Sequence, residues 1–413
     1  MKPFSPVVEA LPRSGIREVM EFAAGREGVI HLEVGEPSFA TPDHIVDAAL
    51  AAARAGHTRY TSNADILELR RAVAERTAAR WGEPVAPEEV LVAVGAVNAI
   101  FATLVALVGE GDEVLIPDPG WPNYAAQVPL ARAVPVRYPL RPENGYLPDP
   151  ADLDRLAGPR TRVLVLNNPS NPTGAVWPRE TVVALAAWAR SRDLWVIADE
   201  IYEDLVFDGE MVRFAPFARE RTVAVGGCSK SYAMTGWRIG WAVAPAELVA
   251  LAAKTQEALV SCPSEVSQWA ALAAVGGSQA CVEEMRLDYA RRRDLVRDLL
   301  APAGLLPTTP QGAFYALADL RATGMPSTEA AKALIAEESV ATSPGSAFGE
   351  VAEGMVRLSL ASADEALLTG CERIARFMER RRGDRGEGRG EHAAGGRFLR
   401  PILNSLSTTR GES

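Results

Sequence analysis

The stretch Arg162–Asp199, RVLVLNNPSNPTGAVWPRETVVALAAWARSRDLWVIAD, reads as one strand–helix–strand unit. Residues 162–167 and 194–198 are short runs of Val, Leu, Ile and Trp, with the length and composition of buried strands. Between them, in 180–193, Val183, Leu185, Ala186, Trp188 and Ala189 fall within one broad apolar face at 3.6-residue spacing. The Asn, Pro and Gly cluster after the first strand fixes a turn. A unit of this kind predicts parallel strands covered by helices on both faces.

Moving outward, the same alternation runs from about residue 88 to 244. Five more strands are VLVAV (90–94), VLIP (114–117), VPVRY (134–138), TVAVG (222–226) and RIGWAV (238–243). The expectation is an α/β protein whose large domain holds a seven-stranded, mostly parallel sheet with helices on both faces. A helix over 245–260 and a long one from about 264 to 300 follow. The Pro- and Gly-rich APAGLLPTTPQG (301–312) then marks a boundary. A smaller α+β domain is expected beyond it, with strands in AFYALADL and MVRLSL and helices near 328–338 and 364–382. The division is 1–40 (packing on the small domain or on a partner), 41–300, 301–380, and a solvated tail at 381–413. That tail is rich in Gly and charge and poor in apolar surface.

The chain's 413 residues suffice for two or three domains at roughly 150 residues each. Its 48% apolar and 23% charged content is that of an ordinary globular protein. Fifty-three acidic against 43 basic residues give a net charge of -10, which argues against nucleic acid or an anionic membrane surface as partner. The longest apolar stretch, Val94 to Val108, is interrupted by Asn98 and Thr103 and is shorter than the roughly 20 residues of a membrane span. The opening MKPFSPVVEALPRSG has no apolar signal core, so a cytoplasmic location is expected. Cys228, Cys262, Cys281 and Cys371 form no C-x-x-C pair, and His31, His44, His57 and His392 have no metal spacing. No metal is expected.

Four strand ends carry candidate chemistry. In GGCSKSYAMTGWRIG, Lys230 lies just past a buried strand, where a partly neutral amine can attack a carbonyl, and Arg238 opens the next strand. In WVIADEIYEDL, Asp199 ends a strand with Tyr202 three residues on, and a buried carboxylate there calls for a cation or donors. VLNNPSNPTG presents Asn171 from a turn. VAVGAVNAIF places Gly95, Ala96 and Val97 at a helix start, a phosphate cradle. Each has a plainer reading: a surface Lys or Arg, a helix-capping Asp, a tight turn, an ordinary strand–helix junction.

Taken together, ten segments in order resemble the fold type I pyridoxal phosphate (PLP) enzymes, specifically class I and II aminotransferases of the bacterial aspartate aminotransferase type. They are VGEPSFATP, RYTSNADILELR, GAVNAIF, IPDPGWPNY, NNPSNPTG, ADEIYE, SKSYAMTGWRIG, QGAFY, SPGSAFG and VRLSLA. The resemblance implies that Lys230 bonds to the PLP aldehyde and that Asp199 pairs with the pyridine nitrogen. Tyr202 and Asn171 would bond the ring's 3-oxygen, and Trp121 would stack on the ring. Arg238, Ser229 and the backbone at Gly95, Ala96 and Val97 would hold the phosphate. Arg357 would grip the substrate α-carboxylate, approached by Gly35, and Tyr60 would reach a neighbour's phosphate in a homodimer. Two positions depart from the pattern: Asp65 stands where glycine is usual, and Gly227 replaces a hydroxyl or amide, leaving Ser229 as the side-chain phosphate donor. The implied activity is amino transfer from an amino acid to a 2-oxo acid by a two-stage cycle. Elimination, decarboxylation or oxidation on the same frame, and a PLP-binding regulator, are the other readings.

Overall fold

A computed structural model describes residues 2–11, 13–62 and 65–386. All seven expected strands are present: β1 Val90–Ala93, β2 Glu113–Asp118, β3 Val134–Pro139, β4 Thr161–Asn167, β5 Trp195–Asp199, β6 Thr222–Gly227 and β7 Gly240–Val243. They form one sheet in the order β1-β7-β6-β5-β4-β2-β3. Every pairing is parallel except those of β7, which runs against both β1 and β6.

The continuous apolar runs follow from burial on both faces, because successive side chains in a strand point opposite ways. Val163, Val165, Ile197, Val223 and Val225 face a core shared with Ala99, Ile100 and Leu104 of helix Gly95–Leu107 and Leu248 and Ala252 of helix Ala246–Val260. Their neighbours Leu164, Leu166, Val196 and Ala198 face a second core with helix Arg179–Ser191. That helix buries Val182, Leu185, Ala186 and Ala189, an i, i+3, i+4, i+7 set. Val183, which the sequence spacing placed on the buried face, is instead exposed.

A second sheet pairs Tyr315–Asp319, Met355–Ser359 and Ser343–Pro344 in antiparallel fashion, with Met355–Ser359 in the middle. The N-terminal segment joins it: Ile30–His31 pairs with Val340–Ala341, and Ser359 N–H donates to Leu32 O at 2.8 Å. Val19 and Ala23 of helix Gly15–Ala23 share one core with Phe314, Tyr315, Leu334 and Val356.

Two expectations are corrected. The long helix expected over 264–300 is two helices, Glu265–Gly276 and Ala280–Leu300. Adjacent Gly276 and Gly277 are poor helix formers, and Gln279 Nε2 donates to the carbonyls of Ala274 (3.0 Å) and Gly277 (2.9 Å) at the break. The expected tail does not begin at 381, because helix Asp364–Gly386 continues six residues further, carried by apolar burial at Cys371, Ile374, Phe377 and Met378. The rest of that tail, 387–413, lies outside the described residues.

Candidate active site

Parallel strands deliver their last residues to one edge, where ligands of open α/β sheets bind. Register does this here: Asn167 at the end of β4 sits beside Asp199 at the end of β5, and Asp199 beside Val225 of β6. Lys230 follows β6 in the single turn Cys228–Ser231. Because β7 is reversed, its amino end reaches the same edge and brings Arg238 there. Over this edge lies a cavity of about 550 Å³, closed on its far side by the crossing segment 33–36 and by Tyr315 and Arg357 of the second sheet.

The structure brings most of the sequence-derived residues to this cavity. Gly35, Ala96, Val97, Trp121, Asn171, Asp199, Tyr202, Ser229, Lys230, Arg238 and Arg357 all line it. Gly95 lies just behind the wall, with φ +77; a Cβ there would come within 2.6 Å of Arg238 Nη2, so only glycine lets the guanidinium lie across the helix start. Tyr60 is not brought in. It is 87% exposed and does not line its own chain's cavity.

Lys230 is part-buried, and its Nζ donates to Gly35 O at 2.7 Å. Burial, reinforced by the guanidinium groups of Arg357 and Arg238, pushes its amine down to about 8, so a substantial fraction is neutral near pH 8. Asp199 is the converse case. Burial pushes its carboxyl up to about 6, against a Tyr124 Oη donor at 2.5 Å and the Ile201 N–H at 3.3 Å, a carboxylate short of positive charge.

Arg357 is buried and, among the described residues, has no carboxylate within hydrogen-bond reach. Its Nη1 donates to Asn171 Oδ1 at 3.2 Å, and its Nη2 to Glu33 O at 2.7 Å and Ser343 Oγ at 3.2 Å. Its Nε has no partner, and burial pushes the guanidinium below its ordinary range. The rings of Tyr315 and Phe348 lie 4.3 Å and 4.8 Å from it. A buried, unpaired guanidinium is costly unless an anion arrives.

Sequence reading missed three contributors. Tyr124 belongs to the quoted IPDPGWPNY, one helical turn after Trp121, and only the fold shows its hydroxyl meeting Asp199. Tyr315 pairs its hydroxyl with that of Tyr202 at 3.2 Å. Thr235 bonds the Glu36 carboxylate and accepts Arg238 Nη1 on its carbonyl at 2.7 Å. The departures have simple outcomes. Asp65 takes the left-handed φ of +67 itself, and its buried carboxyl accepts from Thr61 Oγ1 (3.3 Å), Gln268 Nε2 (3.2 Å) and Gln256 Nε2 (3.5 Å). Ser229 is buried at the cavity wall, while Cys228 has no exposure and burial pushes its thiol up to about 12, which makes it inert packing.

This donor set fits a PLP-sized group. A helix start with no side-chain cap, crossed by Arg238, suits a phosphate. Asp199 suits a protonated ring nitrogen, and Lys230 suits an aldehyde. Arg357 is left over for a second anion. Among the described residues, no helix is long and apolar enough to cross a membrane.

Comparison with known proteins agrees. The family model for aminotransferase class I and II matches residues 27–374. The aspartate/prephenate aminotransferase of Thermus thermophilus is 42% identical over 360 residues, covering 86% of this chain and 93% of that one. The arginine–pyruvate transaminase AruH of Pseudomonas aeruginosa is 41% identical over 84% of this chain and 90% of its own. Among solved structures, aspartate aminotransferase from Thermus thermophilus with maleate superposes with a TM-score of 0.87 at 41% identity, covering 91% of this chain and all of that one. An aromatic aminotransferase from Pyrococcus horikoshii gives 0.83 at 38%, covering 89% and 99%. With a family match across most of its length and a cavity of matching chemistry, the chain belongs to the class I and II aminotransferases, PLP-dependent enzymes that move amino groups between amino acids and 2-oxo acids.

Proposed function

We propose that one cavity serves both halves of amino transfer, with Lys230 as the attachment point of the coenzyme and Arg357 as the grip on each substrate's α-carboxylate. The observation that carries this is the pairing of a part-buried amine held partly neutral with a buried guanidinium that has no hydrogen-bonded anion among the described residues. An incoming amino acid supplies the missing carboxylate. Asn171, which already accepts from Arg357 Nη1, would orient that group, and Gly35 would let backbone approach it.

When bound, PLP supplies a conjugated ring that withdraws electrons from the substrate's α-carbon. Asp199, steadied by Tyr124, keeps the ring nitrogen protonated, and Tyr202 and Asn171 bond the ring oxygen. The backbone at Gly95, Ala96 and Val97, with Ser229 and Arg238, holds the phosphate, and Trp121 covers one ring face. Lys230 Nζ then acts as base and acid, taking the substrate's α-proton and returning a proton elsewhere on the same face. The same residues serve the reverse half with a 2-oxo acid.

Exposure of Tyr60 supports a homodimer in which this side chain completes the neighbour's phosphate site. A cytoplasmic location and a division near 40 and 300, with the small domain running on through helix Asp364–Gly386, are part of the same proposal, and helix Ala280–Leu300 packs against the small-domain core.

The test is to incubate the protein with PLP, 2-oxoglutarate and a panel of amino acids and to measure glutamate. In parallel, borohydride reduction of the coenzyme-loaded protein and peptide mapping should place a stable pyridoxyl label on Lys230. No glutamate from any donor, or a label on another lysine, would overturn the assignment.

A further inference from the structure

We propose that Asp118, at the end of β2, is a positioning residue for the carboxylate grip, acting on Arg357 through Phe348. The inference rests on the assignment of Arg357 above. Arg357 is oriented by hydrogen bonds to the neutral acceptors Asn171 Oδ1, Glu33 O and Ser343 Oγ and by two rings packed against it, and the Phe348 ring at 4.8 Å is one of these.

Phe348 is itself held from across the cavity. Its carbonyl accepts from Gly120 N–H at 2.9 Å. The next residues fold back onto Asp118, whose carboxylate accepts from Glu350 N–H at 3.1 Å and Val351 N–H at 3.0 Å. Gly349 between them has φ +147, and a Cβ there would stand 2.0 Å from Asp118 Oδ1, so the approach requires glycine. Asp118 is only 5% exposed, and its own carbonyl accepts from Leu140 N–H at 2.7 Å, which ties the anchor to the large sheet. Three residues later stands Trp121, in the wall assigned to the coenzyme. A buried carboxylate taking two backbone donors from the turn that links two strands of the second sheet is therefore a pin. It sets the distance between the wall that holds the coenzyme and the ring that supports Arg357.

A pin of this kind should act on substrate binding and leave coenzyme binding alone. We expect Asp118→Asn and Gly349→Ala each to raise KM for the amino donor and for the 2-oxo acid by about tenfold or more. The coenzyme dissociation constant, read from the visible absorbance on reconstitution, should change less than about twofold. Phe348→Leu, which leaves the pin intact but removes the ring, should raise KM alike and also keeps the test available if the Asp118 variant fails to fold. Adding Asp118→Asn to Phe348→Leu should then have little further effect, because both act on one path. The inference is overturned if the variants bind coenzyme and keep the original KM, if coenzyme affinity falls in step with KM, or if the double variant shows independent, additive losses. Failure of the underlying site assignment looks different: the unmodified protein would not take up coenzyme at Lys230 or would not transfer amino groups.

Discussion

The two walls of the cavity hold their charges among different neighbours. On the large-sheet wall, Asp199 and Lys230 rise from the ends of strands buried on both faces, each with its ionisation pulled toward the neutral form by burial. On the facing wall, burial weakens Arg357 too, but it comes from the middle of a three-stranded sheet, donates only to neutral acceptors, packs against two rings and is helped by the charge of Glu33. In the proposed assignment the first wall serves one resident molecule that supplies the missing charges permanently, and the second serves a visitor whose carboxylate arrives and leaves every half-cycle. Affinity and chemistry should therefore separate cleanly between walls when each is disturbed.

The largest effect should come from Lys230→Ala, which removes both the attachment point and the proton carrier; turnover should fall by roughly 10⁴-fold or more. Steady-state glutamate formation checks this, and substrate KM should be uninformative. Next is Asp199→Asn. Loss of the charge facing the ring nitrogen should lower kcat by about 10³-fold. The coenzyme-free fold should respond the other way. A carboxyl raised to about 6 in the fold disfavours folding as pH climbs from about 4 through 6, so the neutral amide should stabilise the coenzyme-free protein at pH 7 by roughly 1–3 kcal/mol, measured by chemical denaturation.

On the facing wall, Arg357→Leu should raise KM for both substrates by about 10²-fold. It should also speak to the opposite wall, because Arg357 is one of the cations pushing Lys230 down. Coenzyme capture by the unmodified protein should accelerate with pH and level off above about 8, as the amine loses its proton; in Arg357→Leu that midpoint should move to higher pH. Stopped-flow absorbance across pH reads both curves. The smallest effect belongs to Tyr124→Phe, which deletes one donor to Asp199 and should reduce kcat by about tenfold, with KM unchanged.

The walls also differ in how far they could be read from residues alone. The seven strands of the large sheet were visible as apolar runs of four to six residues separated by helical periodicity, and the strand ends at 167, 199 and 227 pointed to their edge. The facing wall was legible only in part: AFYALADL and MVRLSL read as strands, but the short segments that complete it did not. Ser343–Pro344 and Ile30–His31 are two residues long, too short for any alternation to show, and they exist because backbone donors from distant segments complete them. Arg357 was found through the resemblance of VRLSLA to a family, and Tyr315 was not singled out. Tyr124 was missed because its role depends on a hydroxyl 75 positions from its carboxylate meeting it in space. The exposed Val183 is a case where tertiary packing overrode a local pattern, whereas the split at Gly277 follows from a local signal, two adjacent glycines, that was passed over.

The reversed direction of β7 has one further consequence. Because the chain turns back after Lys230 and presents Arg238 two residues before β7 begins, the proposed aldehyde-binding and phosphate-binding side chains are spaced by a loop of seven residues between two neighbouring strands. That loop works as a ruler cut to the length of one small molecule. Lengthening it by a residue would shift one end of the scale against the other, so coenzyme analogues with a longer or shorter phosphate arm should register such a change more sharply than any substrate does.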